Sequence, residues 1–231
     1  MPSKAEVILY FASIARRYDL MNHLLSFNVD RRWRRRLLRE SGVHSGGRVL
    51  DVCTGTCDIL IDFYRACPTC ELVGVDATEP MLDIGHQKLE KIGADGCTKL
   101  LCADALDLPL EDASFDIATM GFGLRNLEDP RRGLKEMHRV LKPGGRVLIL
   151  EFAPVPRGPF GWLYKVYLNG VVPCLGGLMT GSFSAYRHLS TSIQDFFFPE
   201  YLVGLMKTQE FKEIRAIPLF GKIAFIYVGV R

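Results

Sequence analysis

The stretch Arg48-Val49-Leu50-Asp51-Val52-Cys53-Thr54-Gly55-Thr56-Cys57-Asp58 decides the fold of this 231-residue chain. Its first five residues have the apolar character of a buried strand, although Asp51 stands near the end. A loop with a single glycine follows, and a helical pattern begins at Asp58. A buried strand that passes through a glycine loop into a helix is the building unit of parallel α/β sheets.

The same alternation of apolar runs and helical patterns continues from residue 47 to residue 152. The predicted strands are Arg48–Val52, Glu71–Asp76, Thr98–Cys102, Phe115–Met120 and Arg146–Leu150. The predicted helices are Asp58–Ala66, Glu79–Ile92, one that begins at Asp129-Pro130 and stops at Lys142-Pro143-Gly144-Gly145, and Pro199–Thr208. The end of the chain predicts two more strands, Lys212–Pro218 and Ile223–Val230, joined by a turn at Gly221. We therefore predict an α/β fold: a doubly wound, mostly parallel seven-stranded sheet with a C-terminal antiparallel strand pair.

Domain organisation follows from length and composition. With 231 residues, 48% of them hydrophobic, the chain can bury one large core. We predict a single domain over residues 1–231, with an N-terminal helical segment at 1–45 and a helical, apolar insertion on the substrate side at about 153–198. No composition shift marks a linker.

Charge, hydropathy and cysteine content indicate the cellular compartment and the kinds of partner expected. A formal net charge of +3 is too small to indicate a polyanionic partner. The sequence lacks a basic-then-apolar signal and a long uninterrupted apolar run, which predicts a cytoplasmic protein, with contact at a membrane surface left open. Seven cysteines without a signal fit reduced thiols better than a disulfide framework.

The loop after the first strand has two interpretations, as a nucleotide-binding loop or as part of a metal site. Acids close the first two strands at Asp51 and Asp76, whereas dinucleotide-binding loops have a glycine-rich G-x-G-x-x-G pattern instead. This arrangement suits S-adenosylmethionine: Asp51 organises the loop near its cationic groups, Gly55 admits backbone close to the ligand, and Asp76 accepts from the ribose hydroxyls. Asp104, beside Ala105, is then placed to meet the adenine edge.

The alternative is a metal site made of four cysteines: Cys53, Cys57, Cys67 and Cys70. The predicted helix between the two pairs would hold Cys67 about 15 Å from the loop, and the first pair lacks the spacing of a zinc knuckle. We therefore favour the nucleotide loop and predict no metal. Cys67 and Cys70 are typical of a turn at a helix end rather than a redox motif.

Several motifs together resemble the UbiE/MenG quinone-biosynthesis C-methyltransferases. They are "FASIARRYDLMNHLLSFNVDRRWRR", "VLDVCTGTCD", "GVDATEPML", "ADALDLPLEDASFD", "GFGLRN" and "RVLKPGGRVLILEF". The resemblance covers roughly residues 7 to 230, and the first motif and "FGLRN" are its most specific parts. It implies the class I S-adenosylmethionine-dependent methyltransferase fold and methylation of a carbon on a prenylated quinol ring. The cofactor contacts implied in this way are Thr56, Asp76, Ala77, Asp104, Ala105 and Gly121.

The resemblance also suggests how the acceptor is activated. Arg125 and Asn126 of "FGLRN" follow the fourth strand, where methyl donor and acceptor should meet. We expect them to stabilise the phenolate of the quinol, because an ionised oxygen makes the ring carbon nucleophilic. Further residues are candidates for lining the acceptor site or relaying a proton: Tyr18, Asp19, Tyr186 and His188.

The chain departs from the family pattern at a few positions. Cys53 replaces Ala or Gly, and Cys57 replaces a glycine, so that its side chain would crowd the methionine portion of the cofactor or require a changed backbone torsion. His188 replaces the second Tyr of Y-x-Y-L-x-x-S-I-x-x-F-P, and two extra residues precede Pro199. Two alternatives therefore remain: a methyltransferase for another small aromatic or lipid acceptor, and an inactive scaffold with the same fold.

The run "RRWRRRLLRE" contains six arginines between residues 31 and 39. A solvated helix face and contact with anionic lipid headgroups are both open interpretations, whereas a nucleic-acid partner is not expected. The apolar segment Phe160–Phe183, with Trp162, Tyr164 and Tyr167, is interpreted as core, as a lid, or as a membrane-facing entrance for a prenyl tail. The oligomeric state is not predicted.

Overall fold

The computed structural model describes residues 3–231 and has a single mixed sheet at its centre. The strands are β1 (Arg48–Val52), β2 (Glu71–Asp76), β3 (Thr98–Cys102), β4 (Phe115–Gly121), β5 (Leu141–Phe152), β6 (Lys212–Leu219) and β7 (Ala224–Val230). Their order across the sheet is β3-β2-β1-β4-β5-β7-β6. The first five are parallel, and β7 runs antiparallel to both β5 and β6. The predicted seven-stranded fold with a C-terminal antiparallel pair is confirmed.

Ten α-helices are described. They are α1 (Lys4–Ile14), α2 (Tyr18–Leu25), α3 (Val29–Ser41), α4 (Asp58–Ala66), α5 (Glu79–Lys91), α6 (Pro130–Val140), α7 (Pro159–Val166), α8 (Val172–Thr180), α9 (Phe183–Gln194) and α10 (Pro199–Thr208). Local chemistry fixes several ends: Asp129 caps α6 by accepting from the backbone N–H groups of Arg131 and Arg132, and Gly42 ends α3 in the left-handed region at φ 65°.

The predicted bounds agree with the structure within one or two residues, except at β5. The segment Lys142–Gly145 was predicted to separate helix from strand, yet β5 already begins at Leu141, which pairs with Phe115 across a register shift. Gly144, at φ 80°, donates its N–H to the Arg231 carbonyl, and Arg231 donates back to Gly145. Pairing with Arg231 on one side and with Phe115 on the other accompanies the extension of the strand through a sequence that locally favours a turn.

The apolar segment after β5 folds as helices. Helix α7 continues through a π-helical turn at Tyr167–Val171 into α8, and α9 follows. These helices and the N-terminal ones share a core cluster that includes Ile14, Met21 and Tyr186. The two faces of the sheet carry the other two clusters. Helices α1 and α2 thus pack with α8 and α9, whereas α3 and α10 pack on the faces of the sheet.

The expectation of reduced thiols throughout the chain is wrong for one pair. Cys67 and Cys70 form a disulfide in the turn between α4 and β2, because a tight turn brings the two side chains together. The remaining five cysteines are free. Within residues 3–231, none of the helices has both the length and the apolar character needed to cross a bilayer.

Candidate active site

Two adjoining cavities open at the carboxyl ends of the parallel strands. The smaller has a volume of about 100 Å³ and the larger about 680 Å³. Several residues border both: Phe11, Tyr18, Cys53, Gly55, Gly121, Phe122 and Asn126. Ligands of doubly wound sheets bind at this edge. The wall that the two cavities share is therefore a place where two bound molecules could meet.

Asp51, at the end of β1, is buried and held by two hydroxyl groups. Thr54 Oγ1 donates to Oδ2 at 2.8 Å and Thr119 Oγ1 donates to Oδ1 at 2.6 Å. Burial raises the pKa of Asp51 to about 7, and the two hydrogen bonds act against that rise. The carboxyl group thus fixes the loop to the neighbouring strand β4 and borders the larger cavity.

Asp76, at the end of β2, binds the same loop from the other side. Its carboxylate accepts from the backbone N–H of Gly55 at 2.8 Å and from that of Thr78 at 2.8 Å. Burial raises its pKa, although the backbone donors oppose this. Each carboxylate oxygen has two lone pairs, so Asp76 keeps acceptor capacity toward the smaller cavity.

The smaller cavity is closed on one side by α1. Lys4 Nζ lies 2.7 Å from Asp104 Oδ2, and the Lys4 N–H donates to Glu128 Oε1 at 2.7 Å. Burial opposes ionisation of Asp104, but the hydrogen bonds from Lys4 and Leu106 hold its pKa below the ordinary value. The contacts of Lys4 with Asp104 and Glu128 were not predicted, because no local pattern links the first helix to residues 100 or more positions away.

The two cysteines of the loop turn away from each other. Cys57 has a left-handed backbone at φ 66°, and its buried side chain packs under Gly85 of α5, where an added Cβ would lie 2.4 Å from its Sγ. Cys53, at φ 57°, borders both cavities and packs against Gly123. The crowding of the cavity predicted for Cys57 is wrong, because Cys57 borders neither cavity. A backbone torsion changed from the family pattern stays a prediction, since a glycine could also adopt this left-handed conformation.

The other predicted cofactor residues also border the cavities. Ala77 and Ala105 line the smaller one, Gly121 lines both, and Thr56 lines the larger. Thr56 donates its hydroxyl to Asp19. All eight positions predicted for the cofactor therefore surround this pair of cavities.

Asp19 does not border either cavity. Its carboxylate pairs with Lys88 Nζ at 2.7 Å and accepts from Thr56. The prediction that Asp19 lines the acceptor site is therefore wrong. The ion pair with α5 turns the carboxylate toward the outside of the loop.

The larger cavity is lined mainly by aromatic and aliphatic side chains. Three residues predicted to line the acceptor site border it: Tyr18, Tyr186 and His188. The Tyr186 hydroxyl is buried without a hydrogen-bond partner among residues 3–231, and burial raises its pKa to about 12. Trp33 of the basic helix α3 turns inward and packs on Phe122 and Phe152. The basic run is therefore only partly a solvated face.

Arg125 lies in the wall of the larger cavity as one half of a buried ion pair. Its Nη1 donates to Glu151 Oε1 at 2.7 Å and to the Phe122 carbonyl at 2.6 Å, and its backbone N–H donates to Glu151 Oε2 at 3.2 Å. The two side chains are 5% and 0% exposed. Arg125 Nε is buried without a partner in the described part of the chain. Glu151, whose partner is 26 residues away, was missed by the sequence analysis.

Asn126 and His188 are brought together across the cavity wall. Asn126 Oδ1 lies 3.1 Å from His188 Nε2, and Asn126 Nδ2 donates to the Phe122 carbonyl at 3.2 Å. The two residues are 62 positions apart and come from the loop after β4 and from α9. The carbonyl of Phe122 thus serves both Arg125 and Asn126.

Metal binding finds no support at the cysteines. Cys67 and Cys70 are bonded to each other, and neither borders a cavity. In the described residues, one group of three candidate ligands occurs, His23, Asp30 and Asp58. Arg34 already pairs with both carboxylates there, at 2.7 and 3.1 Å. That group is an ion-pair network that anchors α3.

Comparison with solved structures agrees with the fold. An Aquifex aeolicus S-adenosylmethionine-dependent methyltransferase aligns with a TM-score of 0.64, at 20% identity, covering 85% of this chain and 88% of its own. The Haemonchus contortus phosphoethanolamine N-methyltransferase 2, solved in complex with S-adenosyl-L-methionine, aligns with a TM-score of 0.65, at 15% identity, covering 86% of this chain and 52% of its own. At such identities the similarity establishes the methyltransferase fold.

Sequence comparison is more specific. A demethylmenaquinone methyltransferase of Thermus thermophilus is 45% identical over 96% of this chain and 99% of its own length. A ubiquinone/menaquinone biosynthesis C-methyltransferase UbiE of a Geobacter species is 42% identical over 96% and 94%. The family model for ubiE/COQ5 methyltransferases matches residues 2–231. The chain therefore belongs to the ubiE/COQ5 methyltransferase family.

Proposed function

We propose that this protein transfers a methyl group from S-adenosyl-L-methionine to a ring carbon of a prenylated quinol, a demethylmenaquinol or a polyprenyl benzoquinol, in menaquinone or ubiquinone biosynthesis. The observation that carries the proposal is the junction of an acidic cavity with a large apolar one at Tyr18, Gly121 and Asn126. The names of the relatives from Thermus and Geobacter support the same activity.

The residues around the smaller cavity suit the methyl donor. When bound, S-adenosylmethionine supplies an electrophilic methyl group on a sulfonium. Asp76 retains free lone pairs for ribose hydroxyls, and Gly55 offers backbone without a side chain beside it. The Cys57 side chain lies outside both cavities, so the loop accepts this cysteine. The full set that we assign to the cofactor is Asp51, Gly55, Thr56, Asp76, Ala77, Asp104, Ala105 and Gly121.

We assign the chemistry of the acceptor to the wall of the larger cavity. The transfer needs the two reactants aligned and water excluded, which an apolar cavity provides. Arg125 and Asn126 stabilise the negative oxygen of the ionised quinol, Arg125 with a guanidinium whose orientation Glu151 fixes. Tyr18, Tyr186 and His188 surround the ring.

We also propose that the substrate enters from a membrane surface. Exposed apolar side chains at the edge of the larger cavity include Phe27, Phe160 and Phe220. Trp162 of α7, two residues after Phe160, is 69% exposed. Helix α3 lines the same cavity through Trp33 and Arg34 and carries several exposed arginines, Arg31, Arg32, Arg35 and Arg39. Aromatic residues with nearby basic ones suit an interface with anionic lipids, where each basic residue contributes about 1 kcal/mol.

Vesicle sedimentation tests this entrance. Trp162→Ser should lower binding to vesicles of anionic phosphatidylglycerol, because it removes an exposed aromatic side chain from the contact. Phe198→Ser is the matched control, because Phe198 is 65% exposed but borders neither cavity. An equal loss of vesicle binding in both variants would contradict the proposal. Binding that depends neither on lipid charge nor on salt concentration would contradict it as well.

The organisation into one domain over residues 1–231 remains our proposal. The packing of α1 and α2 with α8 and α9 in one cluster supports it, because the helices before and after the sheet then share a core. Limited proteolysis should give no stable fragment that ends between residues 41 and 48 or between residues 153 and 198.

Mass spectrometry of the reaction products tests the function. The protein is incubated with S-adenosylmethionine and a chemically reduced short-chain demethylmenaquinol, or the corresponding benzoquinol. A product heavier by one methylene supports the proposal. Bound S-adenosylmethionine without methylation of either quinol would favour a different acceptor, and failure to bind the cofactor would favour the inactive scaffold.

A further inference from the structure

His188 is one of two residues bordering the larger cavity, with Cys53, at which this chain departs from the family pattern. It belongs to α9 and borders the cavity, together with Asn126 from the loop after β4. Histidine is the side chain whose ordinary pKa lies nearest neutrality, and it both accepts and releases protons there. A histidine at this place offers chemistry that a tyrosine does not.

The hydrogen bonds around Asn126 determine which ring nitrogen of His188 carries the proton. The Phe122 carbonyl can only accept, so the group 3.2 Å from it must be the Nδ2 amino group of Asn126. Oδ1 of the same amide then faces His188 Nε2 at 3.1 Å and can only accept. Nε2 therefore carries the hydrogen, and in the neutral ring Nδ1 is left with a lone pair.

That lone pair is available. No hydrogen bond to His188 Nδ1 is found from any group in residues 3–231, and the ring packs against Tyr10 of α1 with 5.5 Å between centroids and a tilt of 33° between the ring planes. Burial and the charge of Arg125 lower the pKa of His188, so the imidazole is neutral near pH 7. The neutral tautomer with a free nitrogen is the form that a general base requires.

We propose that His188 is the general base of the reaction, with Nδ1 accepting the hydroxyl proton of the quinol and Asn126 holding the ring in the required tautomer. This inference rests on the proposed function. As the proton moves to Nδ1, the O–H electron pair flows into the ring, and the ring carbon forms its bond to the methyl group. The methyl–sulfur bond breaks with its electron pair left on sulfur.

The remaining proton transfers also balance. The methylated carbon then releases its own hydrogen as a proton to water, which restores the aromatic ring, and the quinol oxygen recovers the proton from His188. One proton is released for each methyl transferred. Among residues 3–231, the charged and titratable groups near the imidazole include Arg125 and Tyr10, with Tyr18 and Tyr186 bordering the same cavity. Glu151 offsets the charge of Arg125 when the imidazolium forms.

The pH dependence of turnover tests the assignment. In the wild type, kcat should fall on the acidic side with a pKa below 6.5, as His188 becomes protonated. His188→Gln keeps a hydrogen bond to Asn126 but has no base, so kcat should drop by about 10²-fold or more and the acidic limb should disappear. Binding of S-adenosylmethionine, measured by calorimetry, should change less than twofold.

His138→Gln is the matched control. His138 is also partly buried with a lowered pKa, but it packs on Phe211 and borders neither cavity. Its substitution should leave the acidic limb in place. If His188→Gln retains the limb, or loses activity only in proportion to cofactor affinity, His188 is a structural residue and the proposal is overturned.

Nitrogen-15 NMR of the histidine rings provides a test that needs no turnover. In the unliganded protein, His188 should show a protonated Nε2 and an unprotonated Nδ1 at neutral pH. Protonated Nδ1 would overturn the assignment even if methyl transfer is observed. If the expected tautomer is present but no quinol is methylated, the proposed function fails while the geometry of the base stands.

Discussion

Removal of Glu151 should destabilise the protein strongly, because it leaves a cation in the core. The carboxylate is 0% exposed and accepts three hydrogen bonds: from Arg125 Nη1, from the Arg125 backbone and from the Phe152 backbone at 2.8 Å. Breaking a buried pair by removing one partner costs roughly 3–5 kcal/mol. Typical stabilities are only about 5–15 kcal/mol, so Glu151→Ala should lose a large part of the folding free energy.

Urea unfolding followed by circular dichroism measures this loss. Glu71→Ala is the control, because Glu71 pairs with Arg48 at 2.8 Å with side chains 57% and 36% exposed, and such pairs contribute less than about 1 kcal/mol. Adding Arg125→Met to Glu151→Ala should recover part of the stability, since it removes the stranded charge. The reasoning would be refuted if Glu151→Ala costs no more than Glu71→Ala, or if Arg125→Met adds further loss.

Three other predictions concern the loop and its surroundings. Asp76→Ala should weaken S-adenosylmethionine binding, measured by calorimetry, at least about tenfold and leave the circular dichroism spectrum unchanged, because one charged hydrogen bond contributes more than about 1 kcal/mol. An affinity equal to that of the wild type would refute the ribose assignment. Burial raises the pKa of Asp51 from 3.8 to about 7, so the folded state holds this proton more tightly than the unfolded state, and the stability that this proton contributes is lost as pH rises from about 4 to about 7. Asp51→Asn should flatten this decline of the unfolding free energy with pH, measured by urea unfolding at a series of pH values. An unchanged slope of that free energy against pH would contradict the assignment. Gly85→Ala should lower the free energy of unfolding by about 1–3 kcal/mol, because the added Cβ would meet the Cys57 thiol. Adding Cys57→Ala to this variant should restore much of that loss. If the effects of the two substitutions simply add in thermal unfolding, the contact is contradicted.

The sheet and the cofactor side of the site were largely predictable. Strand ends at Asp51 and Asp76 are marked by acids after apolar runs, and the topology of a parallel sheet brings such ends to one edge. Local patterns were sufficient there because each residue acts close to its own strand end. The family resemblance added Arg125 and Asn126, which also follow a strand.

Contacts between distant segments were not predictable in the same way. Lys4 reaches Asp104 from the first helix, and Glu151 reaches Arg125 from a part of β5 beyond the strand predicted to end at Leu150. The β5 extension depends on pairing with the end of the chain. Such contacts depend on which elements become neighbours, and no spacing along the sequence encodes them.

The sequence by itself determined the alternation of strands and helices, the glycine loop, the acids at two strand ends and the family. These features follow from residue periodicity and from backbone preferences, which act over a few positions. Only the tertiary structure decided where the Cys57 side chain points, that Arg125 is paired with Glu151, and that Asn126 lies within hydrogen-bond distance of His188. The physical reason is that burial and hydrogen-bond geometry depend on all the groups around a side chain, which folding assembles from distant parts of the chain.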